Sequence, residues 1–542
     1  MNGTTRNWRR GFLCAMLAFS PPAPAAGADL GQGWSQDERN TFYYTTQGSR
    51  LIHRSWFLAL ERDDNQDLFL ADGLTRFGYL SGTPGKLNPD LLPVGFTVDT
   101  PVTKEWIGMT CAACHTSDIT YKGMTRRVDG APAGADMYDF LAKLDLALQK
   151  AANDDAAFLR FAARVLGAQN NDANRRKLRD DPVIGLRVFS KDFSQFVINS
   201  TPASPWGPAR LDAFGMIFNR VTSIDLIHDN TRTPNAPVSY PFLWGTSWHA
   251  VTQWNGSMAN DSETLRLARN IGQVLGVFGT IDFTRPPLYP SSANKLNLRA
   301  LEAQVSALKA PVWPSEVFGS IDAKRARHGG DLFLANKCDT CHSIVPPADQ
   351  LRDAKVVLTP LADIKTDGAM AIMAATRESK TGILEGRPIL FSPANRFGAT
   401  ALSFDILRHA VARTILNPTK AAMNPVAKAQ AYELKQLFAP ALDVPKYKAR
   451  PLNGIWATAP YLHNGSVRTL YQLLLPEAQR EPKFSVGSRE FDPVEVGFIS
   501  ANGPVPFELD TSVDGNRKTG HDYGTSLTHD DRMDLIEYMK GL

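Results

Sequence analysis

Two short stretches carry chemistry by residue type and spacing alone: Cys111-Ala112-Ala113-Cys114-His115 and Cys338-Asp339-Thr340-Cys341-His342. Each sets two thiols one helical turn apart with an imidazole directly after the second, the attachment signature of c-type haem. The thiols reach the two vinyl groups on one edge of a porphyrin and form thioethers, and the adjacent histidine turns back to bind iron. Other uses of paired cysteines fit less well. A dithiol redox centre needs no histidine and sits in a thioredoxin-like strand–helix context. Structural zinc wants its two C-x-x-C pairs close in sequence, not in different halves of a chain, and disulfides at i, i+3 have poor geometry. The expectation is two covalently bound c-type haems, tethered by Cys111, Cys114, Cys338 and Cys341, with His115 and His342 as iron ligands.

Cys14, the fifth of five cysteines, lies in a segment that reads as an export signal. Basic Arg6, Arg9 and Arg10 precede an apolar run from Gly11 to Phe19, and the small residues Ala26 and Ala28 suit a signal peptidase. Removal of residues 1–28 would start the mature protein at Asp29, in the periplasm or secreted. Arg9-Arg10-Gly11-Phe12-Leu13 is loosely similar to a twin-arginine signal, but haem attachment of this type needs an unfolded chain, which favours the general secretory route. Leu13 stands where lipidation of Cys14 would want a small residue. The signal's apolar run is too short to cross a bilayer, and no later stretch approaches about 18 uninterrupted apolar residues, so no membrane span is expected. With 43% hydrophobic and 21% charged residues the chain is globular. Its net charge of +4 falls towards neutrality once the signal arginines leave, which gives no reason to invoke nucleic acid or anionic lipid.

A length of 542 residues predicts two or more domains. The second motif follows a predicted helix over Ala323–Lys337, and the chain closes with another over Asp530–Leu542, capped at Thr528 or His529-Asp530, with Met533, Leu535, Ile536 and Met539 at helical spacing. In cytochrome c folds the first and last helices cross closely at a glycine, here expected to be Gly330 against Leu535 and Tyr538. Helices are also predicted at Asp136–Lys150 and Asp155–Leu166, whereas the aromatic, Gly/Pro-rich stretch from Thr231 to Gly279 reads as irregular. The expected architecture is mainly α with little β: an N-terminal haem domain over residues 29–318 with a long loop insertion, and a C-terminal cytochrome c-type domain over residues 319–542.

Lys446-Tyr447-Lys448-Ala449-Arg450-Pro451-Leu452-Asn453-Gly454-Ile455-Trp456-Ala457-Thr458-Ala459-Pro460-Tyr461-Leu462-His463-Asn464-Gly465-Ser466 resembles the bacterial di-haem cytochrome c peroxidase superfamily. Its continuation through Leu470–Pro476 and Val486–Pro493, together with Ser239–Trp244, Gln253–Gly256 and Gly520–Thr525, looks more like the rubber-oxygenase-like (RoxA-like) branch. The resemblance implies an oxidoreductase of one of two kinds. Peroxidase-like members reduce hydrogen peroxide with electrons from a small donor cytochrome or cupredoxin; rubber-oxygenase-like members use dioxygen to cleave an apolar polymer at the N-terminal haem. Peroxide reduction is the leading expectation, an oxygenase the second, and a pure electron-transfer cytochrome the third.

The resemblance also implies His521 as the second axial ligand of the C-terminal haem, which would close that iron to substrates and suit it to electron relay. His463 is expected against a haem propionate, as is Arg450, whose planar fork fits a carboxylate. Met370 and Met373 read as core. No distal ligand stands out for the N-terminal haem, so an open iron is expected there, with Phe242, Trp244, Trp248, Trp254 and Phe278 around it. Peroxide heterolysis needs a base and a donor for the departing hydroxide. Gln253 and Arg269 are the candidate donors, Glu263 the candidate base, and Trp254 the candidate aromatic at the reaction centre. Trp456 is a candidate electron bridge whose plainer role is core packing.

Overall fold

The computed structural model describes residues 30–542 apart from 102–103, 224–227, 287–288, 390–391, 417–424, 439–443, 501–502 and 504. The expected export signal, with Cys14, lies outside the described residues. The longer helices start where polar side chains can receive their first free N–H groups. Asp136 caps Met137–Asn153, Asp154 caps Asp155–Leu166, and Asp322 caps Ala323–Ala335. The last helix, His529–Lys540, opens on a capping box between Thr528 and Asp531.

The mainly α expectation with little β is overturned: of the described residues 42% are helical and 15% strand, and the strands form many small sheets. One antiparallel sheet has three strands, Ile52–His53, Trp106–Met109 and Phe96–Asp99, with Trp106–Met109 in the middle. The others described are pairs, such as Thr116–Tyr121 with Met124–Asp129. That hairpin turns on Lys122 and Gly123, whose φ values of +49° and +77° mark the primed turn that matches strand twist. Strands this short show little alternation, and a Lys-Gly turn is a weak signal. The irregular reading of Thr231–Gly279 also needs correction, since its last part is a helix, Glu263–Gly276, burying Leu265, Leu267, Ala268, Ile271, Val274 and Leu275.

Two separate cytochrome c-type domains are not seen either. One core draws on residues from Leu51 to Phe278, but a second joins Phe214 and Leu265 to Phe404 and Tyr447, and a third joins Trp34 and Phe42 to Trp456 and Leu535. The last two cores cross from one half of the chain to the other. The expected helix crossing is present with its glycine displaced by one residue. A Cβ on Gly329 would overlap the carbonyl of Asp534, whereas one on Gly330 would meet only the Tyr538 ring at 3.3–3.4 Å.

Candidate haem sites

Both cysteine motifs fold in the same way. The strand Trp106–Met109 delivers Thr110, whose side chain accepts from Ala112 N and starts a single 3-10 turn, Cys111–Ala113. The helix Ala323–Ala335 delivers Lys337 in a left-handed conformation, followed by the 3-10 turn Cys338–Thr340. In each motif the histidine N–H returns to the first cysteine's carbonyl, at 3.0 Å for His115 and 2.8 Å for His342. None of the four cysteines is joined in a disulfide. Removal from solvent pushes Cys111 and Cys338 up to about 11 and Cys114 up to about 12.

Each histidine is then oriented by its other nitrogen. His115 Nδ1 lies 2.7 Å from the Pro241 carbonyl and His342 Nδ1 lies 2.8 Å from the Arg450 carbonyl. A carbonyl accepts only, so Nδ1 carries the proton and Nε2 keeps its lone pair, the arrangement usual behind a metal-bound imidazole. Burial lowers His342 and takes His115 down to about 4, which keeps both rings neutral.

His342 lines a cavity of about 520 Å³ together with Cys338, Cys341 and His521. The His342 and His521 rings have their centroids 6.2 Å apart and their planes tilted by 56°. A metal–imidazole bond of about 2.0 Å, plus about 1.1 Å from nitrogen to ring centre on each side, puts two axial imidazoles about 6.2 Å apart. The separation fits one iron between them. His521 is carried on a loop held by backbone contacts. Its N–H donates to Ile364 O, and Gly520, with φ +70°, packs so closely on Lys365 and Thr366 that a Cβ would overlap them. Arg480, buried, donates to the carbonyls of Leu475, Lys518, Gly520 and His521 and so pins the loop's path. Burial, then His342 and Arg480, take His521 down to about 3. The wall is mostly apolar, with Leu470, Leu474, Leu535 and Met539, and it includes the buried hydroxyls of Ser239 and Thr366, which have no hydrogen-bond partner among the described residues. Volume, donor set and orphaned polar atoms all suit a tetrapyrrole with polar substituents.

The second site is different. Cys111 and His115 line a cavity of about 70 Å³ with Gln253, Trp254, Arg269, Asn270, Gln273 and Glu302. The donor set fits haem, but that volume alone is too small for a porphyrin. The larger cavity continues towards the same motif, reaching Pro132 and Tyr240, and the Tyr240 ring centre is 6.3 Å from that of His115. Phe242, Trp254, Lys448 and Arg450 line both cavities and form the wall between them.

The candidate residues from the sequence divide as follows. Gln253, Trp254 and Arg269 all meet beside His115. Every nitrogen of the Arg269 guanidinium is engaged, by Asn260, Asn270 and an ion pair with Glu302. Glu263 is not at the site: its side chain is 72% exposed and pairs with Arg299. The carboxylate beside His115 is Glu302 instead, buried and bonded to Ser247, Arg269 and Asn270. Burial raises its pKa, but Arg269 and the hydrogen bonds from Asn270, Ser247 and Arg269 outweigh that and hold it below the usual range. His463 lines the larger cavity, stacked on Tyr447 at 4.0 Å. Arg450 stacks on Phe242 and donates to Phe242 O, Trp244 O and Thr246 Oγ1, leaving only Nε without an acceptor. Of the five aromatics expected around the N-terminal iron, Phe242 and Trp254 line the cavities. Trp244 and Phe278 pack in cores, and Trp248 donates to Ser306 O. Trp456 is fully buried among Trp313, Phe318 and Phe491 and lines neither cavity.

Sequence reading missed Glu302, Lys448 and Arg480. Glu302 sits in a helix, Lys295–Ala307, whose charged residues look like solvated ones, and only its burial separates it from its neighbours. Lys448 stood inside the recognised motif, where two lysines bracket Tyr447 and nothing marks the second as buried.

A family model described as RoxA-like, cytochrome c-like matches residues 446–485. That segment contains Lys448, Arg450 and His463, and it implies a haem cofactor and a cytochrome c-type oxidoreductase. The chain is 31% identical to "Uncharacterized protein y4iJ" of Sinorhizobium fredii (strain NBRC 101917 / NGR234), over 95% of this chain and 93% of that protein. It is 27% identical to "Uncharacterized protein y4iM" of the same organism, over 55% of this chain and 63% of that protein.

Proposed function

The chain belongs to the same family as the y4iJ protein, and from that premise we propose that it is an exported di-haem cytochrome that reduces hydrogen peroxide. One haem would be held by Cys338, Cys341, His342 and His521 and relay electrons. The other, on Cys111, Cys114 and His115, would be the reaction centre. The halves 29–318 and 319–542 would then contribute one attachment motif each. The observation that supports this reading is the asymmetry of the two sites: a second imidazole, His521, has its ring centre 6.2 Å from that of His342, whereas the cavity at His115 carries the amides of Gln253 and Gln273 and the Glu302 carboxylate but no second imidazole among the described residues.

Haem iron at His115 would supply the electrons that split the peroxide O–O bond, two electrons and two protons giving two waters. The chain's own part is to move the protons. Glu302, kept ionised by Arg269, is the base that can take a proton from one peroxide oxygen and return it to the other. Gln253 and Gln273 offer amide donors to the departing hydroxide. Arg269 holds Glu302 rather than the oxidant. The polar groups on the cavity wall, Gln253, Asn270, Gln273 and Glu302, can hydrogen-bond a small polar oxidant. The electron donor would be a small cytochrome or cupredoxin.

The RoxA-like match favours a second reading, a dioxygen-dependent oxygenase acting on an apolar substrate. The two separate experimentally. Purified protein, reduced donor cytochrome and peroxide should give two donors oxidised per peroxide, with Glu302→Gln slowing the reaction by two or more orders of magnitude. A stable dioxygen complex without peroxide turnover favours the oxygenase. Two low-spin, six-coordinate haems would remove both. Export is tested by the N-terminus of the purified protein, expected at Asp29.

A further inference from the structure

Lys448 is in a position that ordinary packing does not explain. It lies on the strand Lys446–Ala449, paired with Val357–Pro360, and its backbone N–H donates to Trp254 O at 2.7 Å. The residue is 8% exposed, yet its ammonium, with three protons to donate, has one hydrogen-bond acceptor among the described residues, the Val251 carbonyl at 3.1 Å. Its charged neighbours, Arg450 and Arg269, are cations, and the Glu302 carboxylate beside them is committed to Arg269. Arg450 adds a buried Nε with no acceptor. Burial, then Arg450 and Arg269, push the Lys448 ammonium well below its ordinary range, so its charged form is disfavoured until an anion reaches it. The side chain also lines the larger and the smaller cavity at once.

We propose that the Lys448 ammonium, with Arg450 Nε beside it, is a carboxylate receptor in the wall between the cavities, taking one haem propionate from each side. The inference rests on the two-haem reading and changes one expectation within it. Arg450 spends its Nη groups on the carbonyls of Phe242 and Trp244, so it braces the wall, and Lys448 is the principal carboxylate partner. One positive charge shared by both haems couples the two irons electrostatically. A cation next to a propionate favours the reduced metal, so Lys448 raises both midpoint potentials together.

The test uses the full-length holoprotein. Intact mass and pyridine haemochrome first count the haems in wild type, K448Q and K448R. A wild type carrying fewer than two defeats the two-haem reading itself. With two present, optical redox titration of K448Q should lower both midpoints, each by about a tenfold change in reduced-to-oxidised ratio at fixed potential, about 59 mV for one electron, and K448R should restore most of it. Midpoints that do not move, or movement of only one, overturn the shared receptor while leaving the two-haem reading intact. If K448Q does not accumulate, resonance Raman of wild type and K448R decides instead. The propionate bending bands of both haems should shift on changing ammonium to guanidinium, and unmoved bands overturn the proposal.

Discussion

Replacing His521 by alanine tests the closed site directly. The His342 and His521 rings are 6.2 Å apart, the spacing of two imidazoles on one metal. Removing one leaves His342 as the single axial donor unless another side chain can take its place. His463, the other histidine on that cavity wall, is held in its stack on Tyr447 at 4.0 Å. One haem of two should therefore pass from low-spin to high-spin, half of the total haem signal. The void left in an apolar pocket should accept free imidazole. A dissociation constant of about 1 mM, equivalent to about 4 kcal/mol, would let millimolar imidazole restore the low-spin state. Optical and low-temperature paramagnetic-resonance spectra of wild type, H521A and H521A with imidazole make the measurement, with intact mass confirming equal haem content. An H521A spectrum identical to wild type at full haem content would refute the assignment, as would a change confined to the His115 haem.

Three further outcomes follow from the packing. Gly329→Ala should cost about 1–3 kcal/mol by forcing apart the helices Ala323–Ala335 and His529–Lys540, while Gly330→Ala, which meets only a movable ring, should cost less; chemical denaturation of the pair ranks them. Arg480→Gln frees the carbonyls of Gly520 and His521, so part of the C-terminal haem should become high-spin and regain low spin with added imidazole; a fully low-spin variant would deny the clamp. Burial takes His409 and His463 from an ordinary 6.5 down to about 3, with nearby arginines adding to the effect. Between those values the unfolded chain binds protons the folded chain refuses, so stability is full above pH 6.5 and falls towards pH 3. Each unit costs about 1.4 kcal/mol per histidine, or about 4 kcal/mol for the two at pH 5, and a denaturation midpoint that holds constant from pH 7.5 to 5 would contradict it.

The matching turns of the two C-x-x-C-H stretches were legible because their spacing is local: five consecutive residues bring two thiols and an imidazole together. Helices with strong caps were legible for the same reason, as Asp154 before Asp155–Leu166 shows. What stayed hidden depends on contacts far apart in sequence. The helix Glu263–Gly276 was obscured because Arg266, Arg269, Asn270 and Gln273 interrupt its apolar residues, and three of those polar groups line the small cavity rather than face solvent. Glu263 and Glu302 look alike as letters. One is a surface partner of Arg299 and the other is enclosed with Arg269, a distinction that exists only once the helix Lys295–Ala307 packs on Glu263–Gly276.

The two pentapeptides show where function enters. Their backbone turns and the carbonyls behind their histidines correspond, so on the proposed reading nothing within C-x-x-C-H would make one haem a relay and the other a reaction centre. The difference is supplied by what the rest of the chain places across from each ring. A loop fixed by Arg480 and by Gly520 against the Lys365 backbone brings a second imidazole to His342. Opposite His115 the chain supplies amides and a paired carboxylate. Surroundings differ as well, since Ala112 and Ala113 are buried and Asp339 and Thr340 are exposed. On the proposed reading this sets the direction of electron flow: a donor can approach the outer motif, the wall of Phe242, Trp254 and Lys448 carries the connection, and the inner motif meets only molecules small enough to enter its cavity.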